Sequence, residues 1–113
     1  MPTIYKICPA ALWREAERAG VFGGMPVDHR DGYIHFSTRD QVAETARRHF
    51  ADQHDLMLIA VDADRLGPAL KWEASRGGAL FPHLYGELAL SAVMHVAPLK
   101  LGADGPVLPE LAP

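Results

Sequence analysis

Residues 33–38 read Tyr-Ile-His-Phe-Ser-Thr, an alternation of apolar and polar side chains that is typical of a β-strand covered on one face. Successive side chains of a strand point to opposite faces. Ile34 and Phe36 are therefore predicted to face a hydrophobic core. His35 and Ser37, together with Tyr33, are predicted to share a polar face on which a ligand can be contacted.

The same segment is predicted to lead directly into a helix. Thr38 and Gln41 have the three-residue spacing of a capping box, and Val42, Ala46 and Phe50 recur at helical spacing behind them. The Thr38 hydroxyl then lies near backbone N–H groups that attract anions. Two interpretations stay open at this point, because a Thr before a helix also serves simply as its cap.

Patterns on both sides of this segment indicate further strands and one more helix. The extended segments are predicted at residues 3–7, 56–61, 70–74, 80–85 (broken at Pro82) and 91–96. A helix is predicted to begin at Pro9 and to end at Gly20. Residues 21–31 contain a Gly-Gly pair and read as a loop. The run at residues 56–61 is continuously apolar, so it is predicted to lie at the centre of a sheet.

Together these elements predict a single α+β domain with a twisted, mostly antiparallel sheet and two N-terminal flanking helices. The length of 113 residues leaves room for one domain, which we place at residues 1–98. Residues 99–113 are rich in proline and are predicted to form a C-terminal tail.

Composition narrows the class of function. The net charge of −3 argues against a nucleic-acid partner, although Arg47, Arg48 and His49 form a small basic cluster able to contact one phosphate. A single cysteine, Cys8, fits a reducing compartment, and no apolar segment is long enough for a signal peptide or a membrane span. We therefore expect a cytoplasmic protein whose partner is a small molecule, with its oligomeric state left open.

The histidines do not have the spacing of a metal site. His49 and His54 lie five residues apart, and neither an HExxH motif nor a pair of cysteines is present, so no metal is expected. His35 differs from them because its strand aims it at the polar face beside Ser37. Its imidazole can contact a ligand, or it can simply bond a backbone group within the sheet.

A second concentration of candidate residues lies between positions 73 and 87. Phe81, His83 and Tyr85 are predicted to share one face of an extended chain, which suits a planar ligand and equally suits core packing. Glu73 or Glu87 can act as a general base or stabilise positive charge. Arg76 can hold a phosphate through bidentate hydrogen bonds, or it is ordinary surface.

Three segments resemble the small bacterial family known as domain of unknown function 952. They are Ile4-Tyr5-Lys6-Ile7, residues 32–38, and Phe81-Pro82-His83-Leu84-Tyr85-Gly86, and the resemblance extends over residues 3–98. It implies a fold similar to that of the ADP-ribosyltransferases. The order of elements is also similar to the catalytic domain of the NAD-dependent RNA 2'-phosphotransferases, in which a strand like that at His35 and Ser37 follows the first helix.

The resemblance implies binding of NAD or of another nucleotide that contains ADP-ribose. His35 and Ser37 would then hold the ribose, and Tyr5 and Tyr85 would flank the rings. Glu73 or Glu87 would face a developing cation, and His83 would donate a hydrogen bond or carry a proton. Thr38, Arg76 and Phe81 complete the predicted ligand contacts.

Two other functions remain open. Tyr5, Lys6 and Ile7 stand where those transferases usually carry His, Gly and Thr, which favours a non-catalytic module that binds a nucleotide or a small anion. The third function is that of a structural or partner-binding domain, in which the proline-rich tail crosses a second chain.

Overall fold

The computed structural model describes residues 2–103, 105–109 and 111, apart from the side chains of Arg76 and Leu101. Its α-helices are α1 (Ala10–Ala19), α2 (Pro26–Asp31) and α3 (Val42–His49), and three 3-10 helices occupy Ala63–Ala69, Arg76–Gly78 and Leu90–Ala92. Its strands are β1 (Thr3–Pro9), β2 (Val21–Phe22), β3 (Ile34–His35), β4 (Ser37–Thr38), β5 (Leu56–Asp62), β6 (Leu70–Ser75), β7 (Ala79–Leu84), β8 (Leu88–Ala89), β9 (Val93–Gly102) and β10 (Gly105–Val107). No helix in the described part is long and apolar enough to cross a membrane.

The strands form three sheets, and every pairing among the described residues is antiparallel. A five-stranded sheet has the order β10-β9-β5-β1-β4, a three-stranded sheet has the order β3-β7-β6, and β2 pairs with β8. The α+β class and the antiparallel pairing are therefore confirmed, although the strands do not join into the one sheet that we expected. The apolar strand β5 is central as predicted, and its Ile59 and Val61 side chains are fully buried.

The segment at residues 33–38 is extended as predicted, but it is divided between two sheets. β3 pairs with β7 and β4 pairs with β1, while the Phe36 N–H between them donates to the Pro82 carbonyl at 3.0 Å. Ile34 and Phe36 are both buried, which confirms the predicted core face. Alternation alone could not reveal the change of sheet, because it fixes the faces of a strand and not its neighbours.

The two predicted helices are present. α1 ends at Gly20, whose φ of 80° is the left-handed conformation that glycine adopts readily. α3 buries Val42, Ala46 and Phe50 as predicted, but it begins at Val42 and follows a turn at residues 39–41. The Gln41 side chain accepts from the Thr38 N–H at 3.0 Å within this turn, but the N-cap of α3 is Gln41 and no side chain caps the helix. The capping box predicted for Thr38 and Gln41 is therefore wrong, because the turn separates Thr38 from the helix start.

The loop predicted for residues 21–31 is wrong, because it contains β2 and the additional helix α2. Pro26 occupies the start of α2, and the Asp28 carboxylate accepts a hydrogen bond from the Met25 N–H at 2.7 Å. Gly32, with a φ of 88°, closes the helix. The described part of the chain therefore has three α-helices where we expected two. The short, polar α2 has no apolar periodicity from which a helix could be predicted.

Two proline positions also differ from expectation. β7 continues through Pro82, which lies opposite Trp72, so the predicted break in this strand is wrong. β9 continues past Pro98, and Leu99 lies buried opposite Leu56 although it falls within the predicted tail. Proline removes a donor but its φ is compatible with extended backbone, so neither residue ends its strand.

Candidate functional site

Two strand registers bring the predicted site residues together. In the β3–β7 pair His35 lies opposite His83, and in the β1–β4 pair Tyr5 lies opposite Ser37. Residues directly opposite one another on antiparallel strands present their side chains on the same face. Because the chain passes from one sheet to the other at Phe36, one pair of site residues lies in each sheet, and both pairs border a common opening.

A cavity of about 580 Å³ lies at this opening, a volume within the range of small-molecule sites. Elements β1, α2, β3, α3 and β7 all contribute to its wall. Five residues that we predicted as site residues line it, namely Tyr5, His35, Ser37, Phe81 and His83. It is also lined by Arg30 and Asp31 of α2 and by Arg48 and His49 of α3.

Both ring nitrogens of His35 contact carboxylates. Its Nδ1 lies 2.6 Å from Asp28 Oδ1, and its Nε2 lies 2.9 Å from Asp31 Oδ2. An ionised carboxylate accepts hydrogen bonds and cannot donate them, so the two contacts together fit a doubly protonated imidazolium. In this arrangement His35 has no ring nitrogen left for a ligand.

Asp28 is the buried hub of this part of the site. Its carboxylate contacts the Lys6 ammonium at 2.9 Å and accepts from the backbone N–H groups of Met25 and His35. Burial raises the pKa of Asp28, but the His35 hydrogen bond, the Lys6 charge and the Met25 N–H outweigh it and lower that pKa to about 2. The carboxylate is therefore ionised at neutral pH and anchors α2 to β1 and β3.

Lys6 is buried together with Asp28. Burial lowers the pKa of its ammonium, and the adjacent Asp28 carboxylate acts in the opposite direction. Lys6 Nζ also donates to the His35 carbonyl at 2.9 Å. A buried ion pair of this kind is costly to break, because removing one partner leaves the other charge desolvated and uncompensated.

His83 forms a second histidine–carboxylate pair. Its Nδ1 lies 2.8 Å from Glu73 Oε1, and the same oxygen accepts the Tyr85 hydroxyl at 2.6 Å. Both hydrogen bonds lower the pKa of Glu73, and the bond from Tyr85 has the larger effect. The same bond raises the pKa of Tyr85 to about 12. His83 lines the cavity although its side chain is only 4% exposed, and with Nδ1 directed at Glu73 its other ring nitrogen is Nε2.

Tyr33 joins the two histidine–carboxylate pairs. Its ring stacks on His83 at a centroid distance of 4.1 Å and an interplanar angle of 28°. It also lies 4.6 Å from the His35 ring and 5.2 Å from the Tyr85 ring. The two histidine rings are 5.6 Å apart at an interplanar angle of 69°.

The remaining predicted residues are distributed around this centre. Ser37 is buried and its hydroxyl lies 2.8 Å from the Thr45 hydroxyl of α3. The Thr38 N–H donates to the Gln41 side chain in the turn before α3, and Glu87 is exposed beyond the end of β7. The Arg76 side chain lies outside the described residues.

Sequence reasoning missed the acidic half of the site. Asp28 and Asp31 fall in the segment that we took for a loop, and Lys6 was noted only for its place in the first strand. Two signals were present: Pro26 as a helix start followed by an acid two residues later, and a lysine inside an apolar strand. Neither signal predicts that Asp28, Asp31 and Lys6 lie near His35, because that depends on how segments far apart in the sequence pack together.

The described part of the chain contains no group of three or more His, Cys, Asp or Glu side chains arranged to hold a metal ion. At the cavity and beside it, the described side chains offer hydrogen bonds, charge and the two histidine–carboxylate pairs.

Comparison with solved structures identifies close relatives of the fold. An X-ray crystal structure of protein CC0527 from Caulobacter crescentus is 52% identical, covers 93% of each chain and has a TM-score of 0.90. The solution NMR structure of the same protein is 52% identical, covers 94% of this chain and 91% of that chain, and has a TM-score of 0.83.

The sequence comparisons give a family and no activity. No curated protein matches this chain. Residues 7–96 match the family described as "Protein of unknown function (DUF952)", which confirms the predicted resemblance to this family. The match contains the segments around His35 and His83, whereas it begins at the last residue of the segment at Tyr5. The chain belongs to the DUF952 family.

Proposed function

We propose that the cavity binds a nucleotide of the NAD or ADP-ribose class, on a fold similar to that of the ADP-ribosyltransferases. The observation that carries the proposal is that two kinds of side chain line the same cavity. Tyr5, Phe81 and His83 contribute rings, and Arg48 and His49 of α3 contribute basic groups. A planar ring of a ligand fits against the former and a phosphate against the latter.

The hydrogen-bonding capacity of the wall suits a ribose between these groups. Nδ1 of His83 is bonded to Glu73, so a neutral His83 accepts a hydrogen bond from a ligand hydroxyl at Nε2. Ser37 lines the cavity, and its hydroxyl is bonded to that of Thr45. Hydroxyl groups fixed in this way give direction to a sugar that aromatic contacts alone would leave free to rotate.

A second candidate function is transfer of ADP-ribose from NAD. Cleavage of the nicotinamide–ribose bond develops positive charge on the sugar, and a carboxylate at the cavity would stabilise it. We expected Glu73 or Glu87 in this role. The Glu73 carboxylate is engaged by His83 and Tyr85, and Glu87 is exposed beyond β7, whereas Asp31 lines the cavity. The engagement of Glu73 favours binding without turnover as the first proposal.

Thermal melting in the presence of NAD, ADP-ribose or inorganic phosphate tests the binding proposal. A ligand at 100 times its dissociation constant stabilises a protein by about 2.7 kcal/mol, so ADP-ribose is expected to raise the melting temperature clearly. His83→Asn should reduce the rise, and His95→Asn, on an exposed position of β9, should leave it unchanged. If none of the nucleotides raises the melting temperature, the binding proposal is wrong.

Incubation with labelled NAD separates the two candidates. Release of nicotinamide, or transfer of label to protein, RNA or a small acceptor, would establish the transferase function. Binding of NAD without release would leave the cavity as a nucleotide-binding module. If neither NAD nor ADP-ribose changes the melting temperature, the structural or partner-binding function remains.

A further inference from the structure

We infer that the Asp31 carboxylate occupies the place of a ligand phosphate, so that a nucleotide binds by displacing Asp31 from His35 and Arg30. This inference rests on the proposed function and specifies how the site meets the diphosphate. It adds an anion subsite at the α2 edge of the cavity, in which an oxyanion is held by one imidazolium and one guanidinium.

The geometry of Asp31 is that of an anion already seated in this subsite. One carboxylate oxygen lies 2.9 Å from His35 Nε2, and the other lies 3.1 Å from Arg30 Nε. Two oxygens of a phosphate group can accept hydrogen bonds from the same two donors. All three residues line the cavity, so a phosphate placed here would belong to a ligand that also reaches His83.

Asp31 differs from Asp28 in the features that matter for displacement. The Asp28 side chain is only 1% exposed and contacts Lys6, whereas the Asp31 side chain is 30% exposed. Asp31 is the last residue of α2, where the helix dipole favours basic residues, so helix stability gives no reason for an acid there. Its carboxylate can therefore leave His35 while Asp28 continues to hold the other ring nitrogen.

Arg30 supports the same interpretation. Its side chain is 73% exposed and its contact with Asp31 is at the surface, where such ion pairs contribute little stability. A guanidinium released from Asp31 can turn to a phosphate without loss of a buried contact. The displacement thus exchanges one oxyanion for another on His35 and Arg30.

The test compares ADP-ribose with adenosine by isothermal titration. Asp31→Ala removes the competing carboxylate, and we expect it to bind ADP-ribose about tenfold more tightly than the unchanged protein does. Asp31→Asn keeps the shape and should show part of the gain. Adenosine lacks the diphosphate, so its affinity should not change, and Asp64→Asn removes the same charge from an exposed position outside the cavity as the matched control.

The outcomes separate this inference from the proposed function. Tighter binding of ADP-ribose by Asp31→Ala, or binding seen only in that variant, supports displacement. Unchanged or weaker binding by Asp31→Ala, with ADP-ribose still bound by the unchanged protein, would overturn the displacement and leave the proposed function intact. Binding of ADP-ribose by neither protein would overturn both.

Discussion

Asp28 determines how the His35 ring is oriented. Its carboxylate meets Lys6, the His35 ring and two backbone N–H groups, which together use its oxygen atoms fully. The Lys6 contact joins β1 to α2, the two His35 contacts join β3 to it, and the Met25 N–H is held at the start of α2 itself. The residue therefore contributes to stability and to the geometry of the site at the same time.

Replacing Asp28 by Asn is expected to destabilise the protein by about 3 kcal/mol at neutral pH, because the buried Lys6 charge loses its partner. Urea unfolding followed by circular dichroism would measure this difference. The exposed substitution Asp64→Asn should stay within about 0.5 kcal/mol of the unchanged protein. A loss of similar size in both variants would contradict the role of Asp28.

The pH dependence of stability follows from the same carboxylate. The pKa of Asp28 is about 2 in the folded protein, against about 4 in an unfolded chain. Its contribution is therefore fully present above about pH 4 and is lost as the pH falls towards 2. Unfolding measured from pH 6 to pH 2 should show the difference between the unchanged protein and Asp28→Asn shrinking over that interval.

Glu73 is a positioning residue for His83. Its hydrogen bond to Nδ1 predicts that neutral His83 carries its proton on Nδ1, and imidazole nitrogen NMR distinguishes this tautomer from the other. In Glu73→Gln the tautomer should no longer be fixed, whereas in Glu87→Gln it should be unchanged. An unaltered His83 spectrum in Glu73→Gln would show that the carboxylate does not set the tautomer.

At the level of elements, the strands were predictable and their partners were not. Alternation placed Ile34 and Phe36 in the core, and it placed His83 of β7 on the same side as Tyr85, just beyond the strand, where both contact Glu73. It could not show that His83 would lie opposite His35, because register between distant strands depends on the whole packing. The Asp28 contacts are likewise contributed by residues far apart in the sequence.

The turn that leads into α2 is a specific point of sensitivity. Gly24 has a φ of 112°, and a Cβ added there would lie 3.0 Å from the Asp28 Cβ. We expect Gly24→Ala to cost about 1–3 kcal/mol through backbone strain and to disturb the Asp28 contacts. Gly23→Ala meets nothing within 4 Å and is the matched control. Equal unfolding midpoints in urea for the two variants would contradict this account.

In the whole molecule, the cavity exists because one extended segment changes sheets. β3 and β4 are two residues each and belong to different sheets, with the Phe36 side chain buried between them. His35 is thereby joined to the β7 face, and Ser37 to the β1 face and α3. A site formed at a junction of this kind can contact a ligand from two sides.

The central claim is that this cavity is where a nucleotide binds, and NMR chemical-shift mapping with ADP-ribose tests it most directly. We predict that the resonances that change on titration belong to residues lining the cavity, with Tyr5, Ser37, His35 and His83 among them. The resonances of exposed residues elsewhere, such as Met94, should not shift. A spectrum unaltered by ADP-ribose, or changes confined to residues outside the cavity, would contradict the account.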